Sequence, residues 1–243
     1  MQKHAFRGLG PADDSMDCVR AWVLALAGIG NEPDAKEKLR QLGAKAAAPL
    51  IEALSNPAFL AELPDDSPLT KNALDDVFDL LRDIAPPEAV RPLCAFVDHH
   101  DLRRIQAAAL LLGCIADDDG IPALARALHH DDDHVRSYAL MGLAGARVEG
   151  RGSHAFWTGV YPHLIPLIDR DDGSINDLAP KLVASIEPAQ GLRLLLDQYC
   201  TKKNRRLSYT LAAARTTSGE VPVAIMDRLL ADLAPDCASY PWT

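Results

Sequence analysis

Asp101-Leu-Arg-Arg104-Ile-Gln-Ala107-Ala-Ala-Leu-Leu111-Leu-Gly113 and Asp133-His-Val-Arg136-Ser-Tyr-Ala139-Leu-Met-Gly-Leu143-Ala-Gly145 spell one pattern, D-x-x-R-x-x-A-x-x-x-L-x-G, twice, 32 residues apart. Each copy follows a shorter apolar run: Val90, Pro92, Leu93, Phe96 and Val97 before the first, and Ile121, Ala123, Leu124, Ala127 and Leu128 before the second. A period of this size with helical spacing inside it is what stacked helix pairs produce. Leu93, Phe96 and Val97, like Leu124, Ala127 and Leu128, fall at i, i+3 and i+4 on one face of a short first helix. Asp101 and Asp133 stand where the N-cap of a second helix belongs, their carboxylates able to accept from its orphan amides. Ala107 with Leu111, and Ala139 with Leu143, share a face of that helix. Gly113 and Gly145 near its end predict left-handed caps. Such a hairpin cannot bury its apolar side alone, so neighbours must stack.

These residues resemble HEAT repeats, and more closely the short HEAT-like repeats named after phycobilisome lyases. The Asp-x-x-Arg pair, the following Ala, the Leu-x-Gly ending and the run 121 to 128 carry the likeness. It is strongest over 87 to 146 and weaker over 35 to 55. The resemblance implies an all-α fold, a right-handed α-solenoid of stacked antiparallel helix pairs. It also implies that Asp101, Arg104, Asp133 and Arg136 are scaffold residues, interacting between neighbouring repeats as a ladder.

Composition agrees. Of 243 residues, 48% are hydrophobic and only 5% aromatic, which suits Leu- and Ala-rich hairpins better than a sandwich or barrel. A net charge of −9 argues against broad nucleic-acid or anionic-membrane binding. The five cysteines, Cys18, Cys94, Cys114, Cys200 and Cys237, are odd in number and contain no C-x-x-C, the pattern of idle thiols in a reducing compartment. The cytoplasm is the expected location.

Read in order, the chain forms one expected domain, 1 to 243, with a flexible start at 1 to 14. Val19 to Ile29 is apolar but too short to span a bilayer, so it predicts a buried helix. Pro33 to Leu42 predicts a second helix, and 42 to 54 repeats the first-helix pattern through Pro49 and Leu50. A Pro-, Asp- and Ser-rich connection at 55 to 68 precedes helical spacing from Leu69 to Ile84. The clearest repeats are 87 to 115 and 119 to 146. An irregular loop is expected at 147 to 160, then helices at 161–169, 174–186, 188–199, 203–215 and 221–233, with Trp242 able to cover the last apolar face.

The histidines at the repeat turns, His99 and His100, then His129, His130 and His134, lie near Asp98, Asp101 and Asp131 to Asp133. Imidazole with carboxylate suits zinc or iron. A solvated turn near a helix C-terminus accounts for the same residues. No His-Glu dipeptide is present, so the chemistry of HEAT-like di-iron hydroxylases has no support. The acidic runs 117 to 119 and 131 to 133 lack calcium-loop spacing. Neither a P-loop nor a nucleophile elbow occurs, so no catalytic residue, cofactor or metal is assigned.

The least family-like stretch, 147 to 160, places Arg147, Arg151, His154, Phe156 and Trp157 together, with Gly150 and Gly152 between them. Arginine and aromatic residues on a loop are common interface anchors. The competing reading is that Phe156 and Trp157 pack over the joint between repeats. The functional expectation is a non-catalytic scaffold holding a protein or peptide partner on its concave face and this loop. The alternative is an enzyme on the same scaffold, either like a bilin lyase or like an alkylpurine DNA glycosylase. The second of these needs a basic groove that 25 Lys plus Arg against 34 Asp plus Glu do not favour.

Overall fold

The computed structural model describes residues 15–26, 34–54, 73–168, 178–188, 190–191 and 193–195. Among them every regular element is helical. The helices are α1 (Met16–Leu26), α2 (Ala35–Leu42), α3 (Ala47–Ala53), α4 (Ala73–Ile84), α5 (Val90–Phe96), α6 (Leu102–Ile115), α7 (Ile121–Leu128), α8 (Asp133–Val148), α9 (His154–Leu164) and α10 (Leu178–Ile186). The fold is all-α. Among the described residues no helix is long and apolar enough to cross a membrane. The expected start at 1 to 14, the connection at 55 to 68 and the helices at 203–215 and 221–233 lie outside the described residues, as does Trp242.

The chain divides into two compact units, Met1–Gly152 and Ser153–Thr243. In the first unit α1 packs on α2, α3 on α4, α5 on α6 and α7 on α8, and in the last three pairs a short helix lies against a longer one after it. The second helices of the pairs also meet in order, α2 with α4, α4 with α6, and α6 with α8. The predicted apolar faces are the ones that close these contacts: Leu93, Leu124, Ala127 and Leu128 are fully buried, as are Leu39, Leu50 and Leu80.

The α6–α8 contact is the most extensive, and backbone proximity makes it so. A Cβ added to Gly113 would stand 2.7 Å from the Leu143 amide nitrogen, and one on Gly142 would strike the Leu110 carbonyl oxygen. Gly113 therefore serves close approach, not the helix cap expected of it. It lies inside α6, and Ala116 takes the left-handed cap conformation at φ 55°. Gly145 likewise lies inside α8, with nothing within 4 Å of an added Cβ.

Ion pairs join elements the sequence pattern does not link. Arg20 Nε and NH2 donate to both Glu52 oxygens at 3.1 and 3.0 Å, tying α1 to α3. Lys36 Nζ donates to Asp76 at 2.6 Å and to Asp79 at 2.9 Å, tying α2 to α4. Burial works against the Lys36 ammonium, but the two carboxylates outweigh it and raise its pKa. Arg126 on α7 donates to both oxygens of Asp98, just past α5, at 3.0 and 3.1 Å, a bidentate tie between neighbouring hairpins.

In the second unit α9 packs on α10. Ser153 caps α9 by accepting from the Phe156 amide at 2.9 Å. Tyr161 is buried with its hydroxyl unpartnered, and burial together with nearby Glu187 raises its pKa.

Candidate functional site

The five residues expected to form a binding loop do not share a loop. α8 continues to Val148 and α9 begins at His154, so the irregular stretch contracts to residues 149–153. Gly150 and Gly152, at φ 69° and 86°, make that turn. Arg147 is exposed on the last turn of α8. Arg151 is clamped: its NH2 meets Glu149 at 2.7 Å and its NH1 donates to the Cys114 carbonyl at 3.2 Å. His154 is exposed at the start of α9. Phe156 and Trp157 lie on the inward face of that helix, 0% and 4% exposed, with their rings edge to face at 5.1 Å. Two buried aromatics offer a partner no surface, so they are packing residues. The signal was present in the sequence, because Phe156, Trp157, Val160, Tyr161 and Leu164 follow Ser153 at helical spacing.

The histidine turns use their ring nitrogens locally. His99 Nδ1 accepts from the Asp101 amide, and His130 Nδ1 accepts from the Asp132 amide, each at 3.0 Å. Arg104 NH1 lies 3.2 Å from His99 Nε2; a neutral imidazole accepts at one nitrogen only, so with Nδ1 accepting from the Asp101 amide the contact with Arg104 is proximity and not a second accepted hydrogen bond. Arg136 NH1 donates to the His130 and Asp131 carbonyls at 2.6 and 2.7 Å. The arginine of the second repeat thus fastens the turn of its own hairpin. Among the described residues no group of three or more His, Cys, Asp or Glu has the arrangement to hold a metal ion.

The same turns correct the second cap. Asp101 caps α6 as expected, accepting from the Arg103 amide at 3.0 Å. In α8 the cap is Asp132, which accepts from the Val135 amide at 3.1 Å, while Asp133 is the first helical residue. His130 decides among the three aspartates, because its Nδ1 holds the Asp132 amide as His99 holds that of Asp101.

The caps are therefore 31 residues apart, the spacing already shown by the first helices, and not 32. Burial follows the shorter period. Moving α6 by 31 carries Ala108, Ala109, Leu111 and Leu112 onto Ala139, Leu140, Gly142 and Leu143, all buried. It also carries Arg103, Ala107, Leu110 and Cys114, none of them buried, onto His134, Tyr138, Met141 and Gly145. The open face of α8 is thus a row of His134, Tyr138, Met141, Gly145 and Val148. Tyr138 is 37% exposed, Met141 45% and Val148 88%, three of the exposed large apolar side chains among the described residues. The sequence reading did not single them out. Beside the row, on α6, burial pushes the Cys114 thiol pKa up, and Arg151 and Arg82 pull it partly back.

No family model and no curated protein matches the chain. Among solved structures, a crystal structure described as an engineered protein is similar at a TM-score of 0.46 and 17% identity, over 83% of this chain and 98% of that one.

Proposed function

We propose that the chain is a non-catalytic HEAT-like scaffold, an α-solenoid of stacked helix pairs that holds a protein or peptide partner on the face of its second helices. The ordered contacts of α2, α4, α6 and α8 in the first unit, each backed by its own first helix, support the stacked arrangement. The binding reading is carried by the row on α8: Tyr138, Met141 and Val148 expose apolar surface on a helix whose opposite face, Ala139, Leu140, Gly142, Leu143 and Ala146, is buried. Contiguous exposed apolar surface rimmed by charge is the ordinary mark of a protein interface. Phe156 and Trp157 leave the binding set, and Arg147 and His154 remain at the surface. Nucleic acid, membrane and cofactor have no part in this reading.

The test is affinity capture from cell extract with the wild-type chain, Met141→Glu, and Arg91→Glu as a control on the exposed side of a first helix. Loss of a recovered protein with Met141→Glu alone is expected. Identical recovery with all three chains, with the chain's own second copy counted among the proteins captured, would overturn the assignment.

A further inference from the structure

We infer that the partner of the α8 row is a second copy of this chain, seated antiparallel along the same helix; this rests on the reading of that row as a protein-binding face. His134, Tyr138, Met141, Gly145 and Val148 advance by four, three, four and three residues. That is the step of the seam in a two-helix coiled coil, where each side chain inserts between those of the facing helix. The row therefore fits another helix with the same step, and α8 itself is one.

Size decides the direction. In parallel pairing Tyr138 meets Tyr138 and Gly145 meets Gly145, which crowds one layer and leaves a void in another. About a twofold axis beside Leu143, Tyr138 of one copy falls against Val148 of the other, and Met141 against Gly145. Each large side chain then meets a smaller one, and each layer occurs twice. Gly145 has the space, since an added Cβ there meets nothing within 4 Å.

Charge agrees with the antiparallel register. It brings the Asp131–Asp133 turn before α8 in one copy to the Arg151 turn after α8 in the other. The Asp133 side chain is 55% exposed and that of Arg151, which also holds Glu149 and the Cys114 carbonyl, 33%, so the Asp133 carboxylate would join an existing ion pair. The pairing is isologous and closes at two copies. α8 has 16 residues, so the seam is about 24 Å long. One seam of that length falls short of the ~800 Å² per partner that stable complexes bury. The dimer is accordingly weak and concentration-dependent.

Sedimentation equilibrium of the full chain over a concentration series tests this. The wild type is expected to approach twice the monomer mass as concentration rises. Met141→Glu, and Gly145→Phe, which fills the slot for Met141, are each expected to raise the dissociation constant at least about tenfold with little change in melting temperature. Asp133→Arg and Arg151→Asp should each weaken the dimer, and the double variant should recover it. A wild type that stays monomeric while capture of another protein depends on Met141 would overturn this inference and leave the scaffold reading standing. A monomer whose captures ignore Met141 would overturn both. A dimer indifferent to Met141→Glu and Gly145→Phe would overturn the inference alone.

Discussion

Gly142→Ala measures the α6–α8 contact directly. In an ordinary helix interior this change stabilises by about 1 kcal/mol, because alanine loses less backbone freedom on folding. At Gly142 the new methyl would collide with the Leu110 carbonyl oxygen, a backbone atom fixed in the hydrogen-bond ladder of α6. No side-chain rotation relieves that collision, so the helices must separate. Gly113 is at the same crossing and would lose its contact with the Leu143 backbone. Overpacking of a closed contact costs about 1–3 kcal/mol, and backbone against backbone belongs at the upper end. The control is Gly145→Ala, one turn further along the same helix, where an added Cβ meets nothing within 4 Å. Both substitutions change the unfolded chain alike, so their difference reports the native contact. Urea denaturation followed by helical circular dichroism should place Gly145→Ala above the wild type by about 0.5–1 kcal/mol. It should place Gly142→Ala below the wild type, and below Gly145→Ala by about 1–3 kcal/mol. Equal stabilities for the two variants would refute the close approach of α6 and α8 and, with it, the stacking of the two clearest repeats.

Asp132→Ala should cost about 1 kcal/mol in thermal unfolding and Asp133→Ala only a few tenths, because the first removes the cap carboxylate that accepts from Val135; the reverse order would return the cap to Asp133. Arg136→Lys should cost about 1.5–3 kcal/mol in urea denaturation, since an ammonium cannot reproduce the guanidinium's placement on the His130 and Asp131 carbonyls. Tyr161→Phe should leave the melting temperature unchanged or raise it, because it removes a buried hydroxyl that has no partner. The pH–rate profile for alkylation of Cys114 should have its midpoint above the ordinary thiol value of about 8.5. Arg151→Gln should move that midpoint higher still, since the guanidinium now favours the thiolate; a midpoint that ignores Arg151 would contradict the electrostatic account.

Whatever depended on local periodicity was legible in the sequence. The i, i+3, i+4 spacing of Leu124, Ala127 and Leu128 names the buried face of α7, and Asp101 before an apolar run names a cap that forms. What depended on a contact between helices was not. Gly113 follows Leu111 near the end of α6, so local rules read it as a terminator; its neighbour across the crossing, Gly142, supplies the actual reason for its size. Three adjacent aspartates are equivalent as letters, and only the His130 imidazole selects Asp132 among them. The pair Phe156 and Trp157 resembled an interface anchor because Gly150 and Gly152 suggested a loop. The glycines do make a turn, but Ser153 restarts a helix immediately and rolls both rings inward.

The exposed row on α8 was missed for the same reason, a misalignment of one residue. Matching Arg104 with Arg136 sets the copies 32 residues apart, yet Arg104 is three residues past its cap and Arg136 four past its own. One residue turns a helical position by about 100°. A long guanidinium arm absorbs that rotation and still reaches its own turn, which is why both arginines are buried. Leucine and alanine have no such reach, so the packing faces obey the caps and repeat at 31. Aligned on arginine, Met141 corresponds to Ala109, which is fully buried, and the row on α8 looks like core. Aligned on the caps, it corresponds to half-exposed Leu110, and Tyr138, Met141, Gly145 and Val148 fall into one open line. A repeat frame is therefore better set by its short apolar residues and caps than by the charged letters that make the motif easy to see, because flexible side chains keep their partners across a shift that buried ones cannot tolerate.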